Sequence, residues 1–245
     1  MKKRIGYLII FLVSLPTILL GYSYFANGFK SNRSNIKKIW INNLNPLRGE
    51  LYIVTIKKNK MSYFVSNKNI KSNDFYINSN FFTESGHPIG EVIINHKKIN
   101  NKTHGGGYFY SNGGAPNISF FNRPKNVKYS SQTILTGIRN GKICESITKN
   151  KLSKLKSYRA IIGINYLGDL IIIFSDDIGF LTIREICEIG VKNNIKNGVL
   201  FDGGSSIDVG INDGLSHFNF QTVSDFNKKL GGLHKPPVYI VGNFK

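Results

Sequence analysis

Apolar residues in this chain come in short runs, closed by glycine, asparagine, proline or lysine. Leu51-Tyr52-Ile53-Val54-Thr55-Ile56, a lysine–asparagine turn and Met61 to Val65 predict a β-hairpin. Asp74 to Ile77 leads into Asn78-Ser79-Asn80-Phe81-Phe82, and Glu91 to Asn95, Tyr108 to Tyr110 and Ile118 to Phe121 read as further short strands. Ala160 to Ile164 and Leu170 to Ser175 flank Leu167-Gly168-Asp169, a second hairpin. The strongest helical period follows Leu181. Thr182-Ile183-Arg184-Glu185 fits a capping box, Ile183, Ile186, Cys187 and Gly190 share one face, and Asn193-Asn194 supplies a stop. The chain then enters Val199-Leu200-Phe201, shaped like a buried strand, and leaves it on Asp202-Gly203-Gly204-Ser205-Ser206. Many short strands and few helices predict an α+β fold with a mixed, largely antiparallel sheet core.

The N-terminus has a different pattern. Lys2, Lys3 and Arg4 precede Ile5 to Ala26, twenty-two residues without a charge and interrupted only by Pro16. About 20 apolar residues span a bilayer, and a basic flank stays in the cytoplasm. Residues 1–26 therefore predict a transmembrane anchor or a signal peptide, with the anchor favoured because the run is long and only Gly21-Tyr22-Ser23 resembles a cleavage site. Either way the body is exported: held at the cell membrane by one span, or secreted if the segment is cleaved. Residues 27–49 are polar, asparagine-rich and basic and read as a linker, leaving 50–245 as the domain.

Composition narrows the partners. The 245 residues carry 33 lysines and arginines against 14 acids, a formal charge of +19. Such an excess favours anionic partners, and export turns the expectation from nucleic acid toward phosphate-bearing glycan or membrane headgroups. The lysines are scattered among asparagines, as on a solvated surface. Cys144 and Cys187 allow one disulfide or two buried thiols. The five histidines are dispersed and no Cys/His cluster has zinc spacing, so no cofactor is expected and a metal is left open.

Asp202 is the leading candidate for chemistry. A carboxylate at the end of a buried strand, followed by glycines that allow φ > 0 or close approach of a ligand, suits a catalytic group. An ordinary Asp-Gly turn has the same letters.

Three segments stand in a recognisable order: Ile77-Asn78-Ser79-Asn80-Phe81-Phe82 with Gly86-His87-Pro88-Ile89-Gly90, then Arg159-Ala160-Ile161-Ile162-Gly163-Ile164, then Leu181-Thr182 through Asp202-Gly203-Gly204-Ser205-Ser206. Together they resemble the phosphodiester glycosidase family across residues 50–243, with Pro236-Pro237-Val238-Tyr239-Ile240 as the closing strand. Ser79 and Asn80 stand where the family usually has two glycines, Ala160 where it has threonine, and the acid–glycine loop has two glycines instead of three. The resemblance implies an exported hydrolase cleaving the glycosidic bond of sugar-1-phosphodiesters in an envelope or extracellular glycan. The alternative is a non-catalytic envelope protein binding anionic glycan with the same fold.

Cleaving that bond requires oxocarbenium stabilisation and a stabilised leaving phosphate. Asp202, Arg159 and Asn78 are the candidate catalytic residues. Asp202 is placed as base, nucleophile or oxocarbenium stabiliser, Arg159 as a bidentate phosphate clamp, and Asn78 as a donor to a sugar or phosphate oxygen. Asn80, Gly203, Gly204, Ser205 and Ser206 are the candidate substrate-binding groups. A second carboxylate, if needed, has candidates in Glu185, Asp176, Asp177 and Asp208. Structural roles compete: a salt bridge for Arg159, a turn for Asn78, the cap for Glu185, and the core for Phe81 and Phe82.

Overall fold

The computed structural model describes residues 29–30, 34–44, 47–67, 73–83, 85–101, 103–122, 125–149, 154–176, 179–212, 217–221 and 238–245. Among them run strands β1 (Phe29–Lys30), β2 (Ser34–Leu44), β3 (Leu47–Ile56), β4 (Met61–Ser66), β5 (Phe75–Asn78), β6 (Val92–Ile94), β7 (Lys97–Asn100), β8 (Tyr108–Ser111) and β9 (Asn117–Ser119). They continue through β10 (Tyr129–Gln132), β11 (Leu135–Arg139), β12 (Lys142–Ile143), β13 (Ala160–Asn165), β14 (Leu170–Asp176), β15 (Ile195–Phe201), β16 (Asp208–Asn212), β17 (His217–Gln221) and β18 (Tyr239–Phe244). Helix α1 (Glu145–Lys149) is short and α2 (Ile183–Lys192) is amphipathic.

The strands form an eight-stranded sheet, β1-β2-β3-β14-β13-β15-β11-β12, and two five-stranded sheets, β7-β6-β10-β8-β9 and β17-β16-β5-β18-β4. Every described pairing is antiparallel, where a mixed, largely antiparallel core was expected. The reason lies in α2. It carries the chain from β14 to β15 past β13, so the two strands that run parallel are separated by a strand antiparallel to both.

Period two divides the core. Val54, Ile162, Ile172, Phe174, Val199 and Phe201 face one side of the large sheet and share a core with residues of the other two sheets, such as Tyr63, Phe75, Phe109 and Val209. Their neighbours Ile53, Ile161, Ile171, Ile173 and Leu200 face the other side, against Ile183, Ile186 and Cys187 of α2. Burial on both faces is why these strands read as unbroken apolar runs. The capping box forms as expected, with Glu185 N–H donating to Thr182 Oγ1 at 3.1 Å and Thr182 N–H to Glu185 Oε2 at 2.7 Å. Such a cap stabilises a helix by about 1 kcal/mol.

Two expectations need correction or lie elsewhere. The stretch read as a linker, 27–49, contributes β1, β2 and the start of β3, with β2 pairing along nearly all of β3. Ser34 and Ile36 are buried while Asn35 and Lys37 are exposed, so a strand alternation was present beneath the polar composition. Residues 1–26 lie outside the described residues. Among the described residues no helix is long and apolar enough to cross a membrane.

Candidate active site

The end of β15 is latched to two other segments before it carries any chemistry. Asp202 N–H donates to the Ser79 carbonyl at 3.1 Å, and Gly204 N–H to the Tyr158 carbonyl at 2.9 Å. The loop is thus strapped to the end of β5 and to the residues before β13. Both glycines are required by geometry. A Cβ on Gly203 would sit 2.5 Å from the Tyr158 carbonyl oxygen, and Gly204 has φ +64°. Gly204–Ser206 then makes one 3₁₀ turn.

Asn78 closes the loop from below. Its Nδ2 donates to the Asp202 carbonyl at 3.0 Å, and its Oδ1 accepts from Asp208 N–H at 3.0 Å. One fully buried amide therefore ties both ends of the 202–208 segment.

The Asp202 side chain is half-buried. Burial pushes its pKa up to about 6, against hydrogen bonds from the Ser206 side chain and Gly203 N–H and the charge of Arg159, all of which pull it down. Arg159 is half-buried beside it, and burial lowers its pKa while the Asp202 charge raises it. The guanidinium is anchored: Nε donates to the Leu181 carbonyl at 3.2 Å and Nη2 to the Leu155 carbonyl at 2.8 Å. Its backbone N–H donates to Ser175 Oγ at 3.0 Å. Asn78, Arg159, Asp202 and the 203–206 backbone, far apart in sequence, thus meet at one place. A raised carboxylate beside a fixed cation is an arrangement suited to acid–base or electrostatic catalysis.

A model of the phosphodiester glycosidase family matches residues 72–227. The chain belongs to this family. Solved structures share the fold. The zebrafish N-acetylglucosamine-1-phosphodiester alpha-N-acetylglucosaminidase catalytic domain, auto-inhibited by its pro-peptide, aligns at a TM-score of 0.66 and 15% identity, over 90% of this chain and 87% of that one. A hypothetical protein from Synechocystis aligns at 0.64 and 10% identity, over 88% and 63%. A putative exported protein from Burkholderia pseudomallei aligns at 0.52 and 8% identity, over 80% and 74%. No curated protein sequence matches the chain.

Within the family pattern, the two residues standing in place of glycines are both buried and engaged. Ser79 Oγ lies 3.2 Å from the Val238 carbonyl and 2.9 Å from Asn80 Oδ1. Asn80 Nδ2 donates to the Ile89 carbonyl at 3.2 Å and the Gln132 carbonyl at 2.6 Å, and its Oδ1 also accepts from Ser131 Oγ. Asn80 is fully buried, and its amide holds three segments together. Asn78 is likewise an internal brace, not an open donor. Phe81 and Phe82, expected in the core, are half-buried.

The second-carboxylate candidates separate. Asp208 is buried, with Oδ2 accepting from Tyr239 Oη at 2.9 Å. Glu185 is occupied by the cap, Asp176 lies opposite Glu50 at the C-terminal end of β14, next to the Ser175 that hydrogen-bonds the Arg159 backbone, and Asp177 lies outside the described residues. The Ser205 side chain is also outside the described set. Cys187 is buried and Cys144 half-buried, both as free thiols, and burial pushes the Cys187 thiol up to about 12. Among the described residues no cluster of His, Cys, Asp and Glu could hold a metal.

Sequence reasoning missed Tyr158, Ser175 and Ser131. Tyr158 supplies the carbonyl that receives Gly204, while its ring packs 4.7 Å from Phe180. Its one signal was adjacency to Arg159. Ser131 lies on β10, whose polar Tyr129-Ser130-Ser131-Gln132 has no apolar alternation to betray a buried strand.

Proposed function

We propose that this chain is an exported hydrolase that cleaves the glycosidic bond of sugar-1-phosphodiesters in an envelope or extracellular glycan, held at the membrane by residues 5–26. The observation that carries the reading is the half-buried Asp202 carboxylate, raised to about 6 and set beside the anchored Arg159 at the latched end of β15. Membership of a phosphodiester glycosidase family supplies the bond to be broken.

The chemistry follows from the environment. Near neutral pH most of Asp202 is ionised, and its negative charge stabilises the positive charge that grows on the anomeric carbon as the C–O bond breaks. The phosphate leaves with the bonding electron pair and needs no strong acid, and water adds to the anomeric carbon and gives up its proton to complete the hydrolysis. Arg159 faces that phosphate with its charge while two of its N–H groups hold backbone carbonyls, so it acts as a fixed electrostatic partner more than a free bidentate clamp. Asn78 acts through Asp202, positioning it.

The test is turnover of a glycosyl-1-phosphodiester of a chromogenic alcohol, coupled to a phosphatase, beside a plain aryl glycoside. Turnover of the phosphodiester, with KM raised more than kcat is lowered in Arg159→Lys, supports the reading. Turnover of the aryl glycoside alone removes the phosphate-reading role, and inactivity on both transfers the case to the glycan-binding alternative. For topology, protease added to intact spheroplasts digests the domain; full protection there defeats export.

A further inference from the structure

A cavity of about 510 Å³ opens beside the edge of the large sheet, away from the Asp202 carboxylate, between β11, β12, the start of α1 and the loop after β9. Its volume is that of a small-molecule site. Its wall carries two exposed cations, Arg139 and Lys142, and the hydroxyls of Thr136 and Ser146, whose oxygens lie 3.4 Å apart. The one acid on the wall, Glu145, has Lys149 Nζ 3.1 Å from its carboxylate, so the local balance is positive. Phe121 stands at the rim with 76% of its surface exposed, and the Arg139 guanidinium lies 4.5 Å from its ring centroid. This cation–π contact fixes the exposed ring at the rim.

The position of the cavity ties it to the candidate active site. Thr136 pairs with Val199 on β15, three residues before Asp202, and Ile138 pairs with Gly198, so Arg139 and its partner Lys142 lie about five residues of strand away from Asp202. Three to five residues of antiparallel strand span about 10–17 Å. A ligand whose reacting bond sits at Asp202 therefore reaches the cavity only if it continues beyond one sugar phosphate.

We infer that this cavity is a distal subsite for a phosphate-bearing sugar further along a polymeric glycosyl phosphodiester. Arg139 and Lys142 take the phosphate, Phe121 packs against the apolar face of the sugar, and Thr136 and Ser146 meet its hydroxyls. The substrate class is then a polymer and not a single capped sugar. This rests on the function proposed above. The chain's +19 charge would draw such a polyanion from a distance.

The test reads binding, so it does not depend on turnover. The full chain and its Arg139→Gln/Lys142→Gln and Phe121→Ala variants are titrated with a short synthetic oligomer of N-acetylglucosamine-1-phosphate repeats, with linear polyphosphate and with a single-stranded oligodeoxynucleotide. The double variant should bind the oligomer roughly tenfold more weakly. Phe121→Ala should weaken the oligomer several-fold and leave polyphosphate unchanged. All three positions are exposed, so thermal melting should stay at the wild-type value; should the double variant fail to fold, Phe121→Ala decides alone. Oligomer binding untouched by Phe121→Ala overturns the subsite, as does tighter binding of the oligonucleotide or polyphosphate than of the oligomer. Wild-type inactivity with Phe121-dependent oligomer binding removes the enzymatic reading and keeps the subsite.

Discussion

The end of β15 and the end of β5 lie side by side, joined by the hydrogen bond from Asp202 N–H to the Ser79 carbonyl, and they are built in opposite ways. At β15 the backbone is fully committed and the side chain only in part: glycines let the loop press against Tyr158, and the Asp202 carboxylate, which accepts from the Ser206 side chain and Gly203 N–H, is left half-open with a raised pKa. At β5 the side chains are themselves the fasteners. Asn78, Ser79 and Asn80 are fully buried, and their polar atoms are spent on the carbonyls, amides and hydroxyls of neighbouring segments. A strand end rich in polar residues is therefore no site by itself. What separates the two is whether the functional atom is already satisfied by protein, since a satisfied buried amide has no capacity left for a ligand.

The sharpest way to break this contrast is Asp202→Asn. It keeps size and shape and removes a charge needed mainly in the transition state. We expect kcat and kcat/KM for a phosphodiester to fall together by roughly 10²-fold or more, with binding little altered. Retention of wild-type kcat would move the chemistry away from β15.

The next effect separates the two asparagines. Asn78→Ala strands the Asp208 N–H and the Asp202 carbonyl, so it should destabilise the fold by about 1–3 kcal/mol and lower kcat through a misplaced Asp202. Asn80→Gly restores the residue usual in the family and deletes bonds to Ile89, Gln132, Ser79 and Ser131. It should cost a similar amount of stability, read from urea unfolding, but leave KM near the wild-type value. A large KM rise with unchanged stability would restore Asn80 to the substrate.

How far the sequence revealed this contrast depended on which groups had a periodic signature. The hairpin over 160–175, the capped helix and the buried strand into Asp202 were legible because period two, period 3.6 and the Thr182/Glu185 spacing are local. Motif order also singled out Arg159 and Asp202, whose charges act on one another in the fold. The strand at 34–44 was hidden because its asparagines and lysines interrupt the apolar residues, even though Ser34 and Ile36 alternate inward. The commitment of Asn78 and Asn80 was not legible at all. It depends chiefly on partners far along the chain, such as Gln132 at 52 residues from Asn80 and Asp208 at 130 from Asn78. The polar strand ends of β5 and β15 acquire different roles only once tertiary packing has chosen their neighbours.

The smallest effect concerns the stability of β15's open end. Burial raises the Asp202 pKa to about 6 from an ordinary value of 3.8, so the folded protein holds this proton more tightly than the unfolded chain does. Protonated Asp202 thus favours the fold. Its contribution is fully present below about pH 4 and is lost as pH rises through about 6. Discounted for the solvent screening of a half-open group, the loss is on the order of 1 kcal/mol. Asp202→Asn should therefore be slightly more stable than wild type at pH 7.5 and equal to it near pH 4, even as it loses activity. Paired urea titrations at the two pH values read this difference directly. If the variant is instead less stable at pH 7.5, the Arg159 charge outweighs burial, and the carboxylate belongs with the satisfied groups of β5 rather than opposite them.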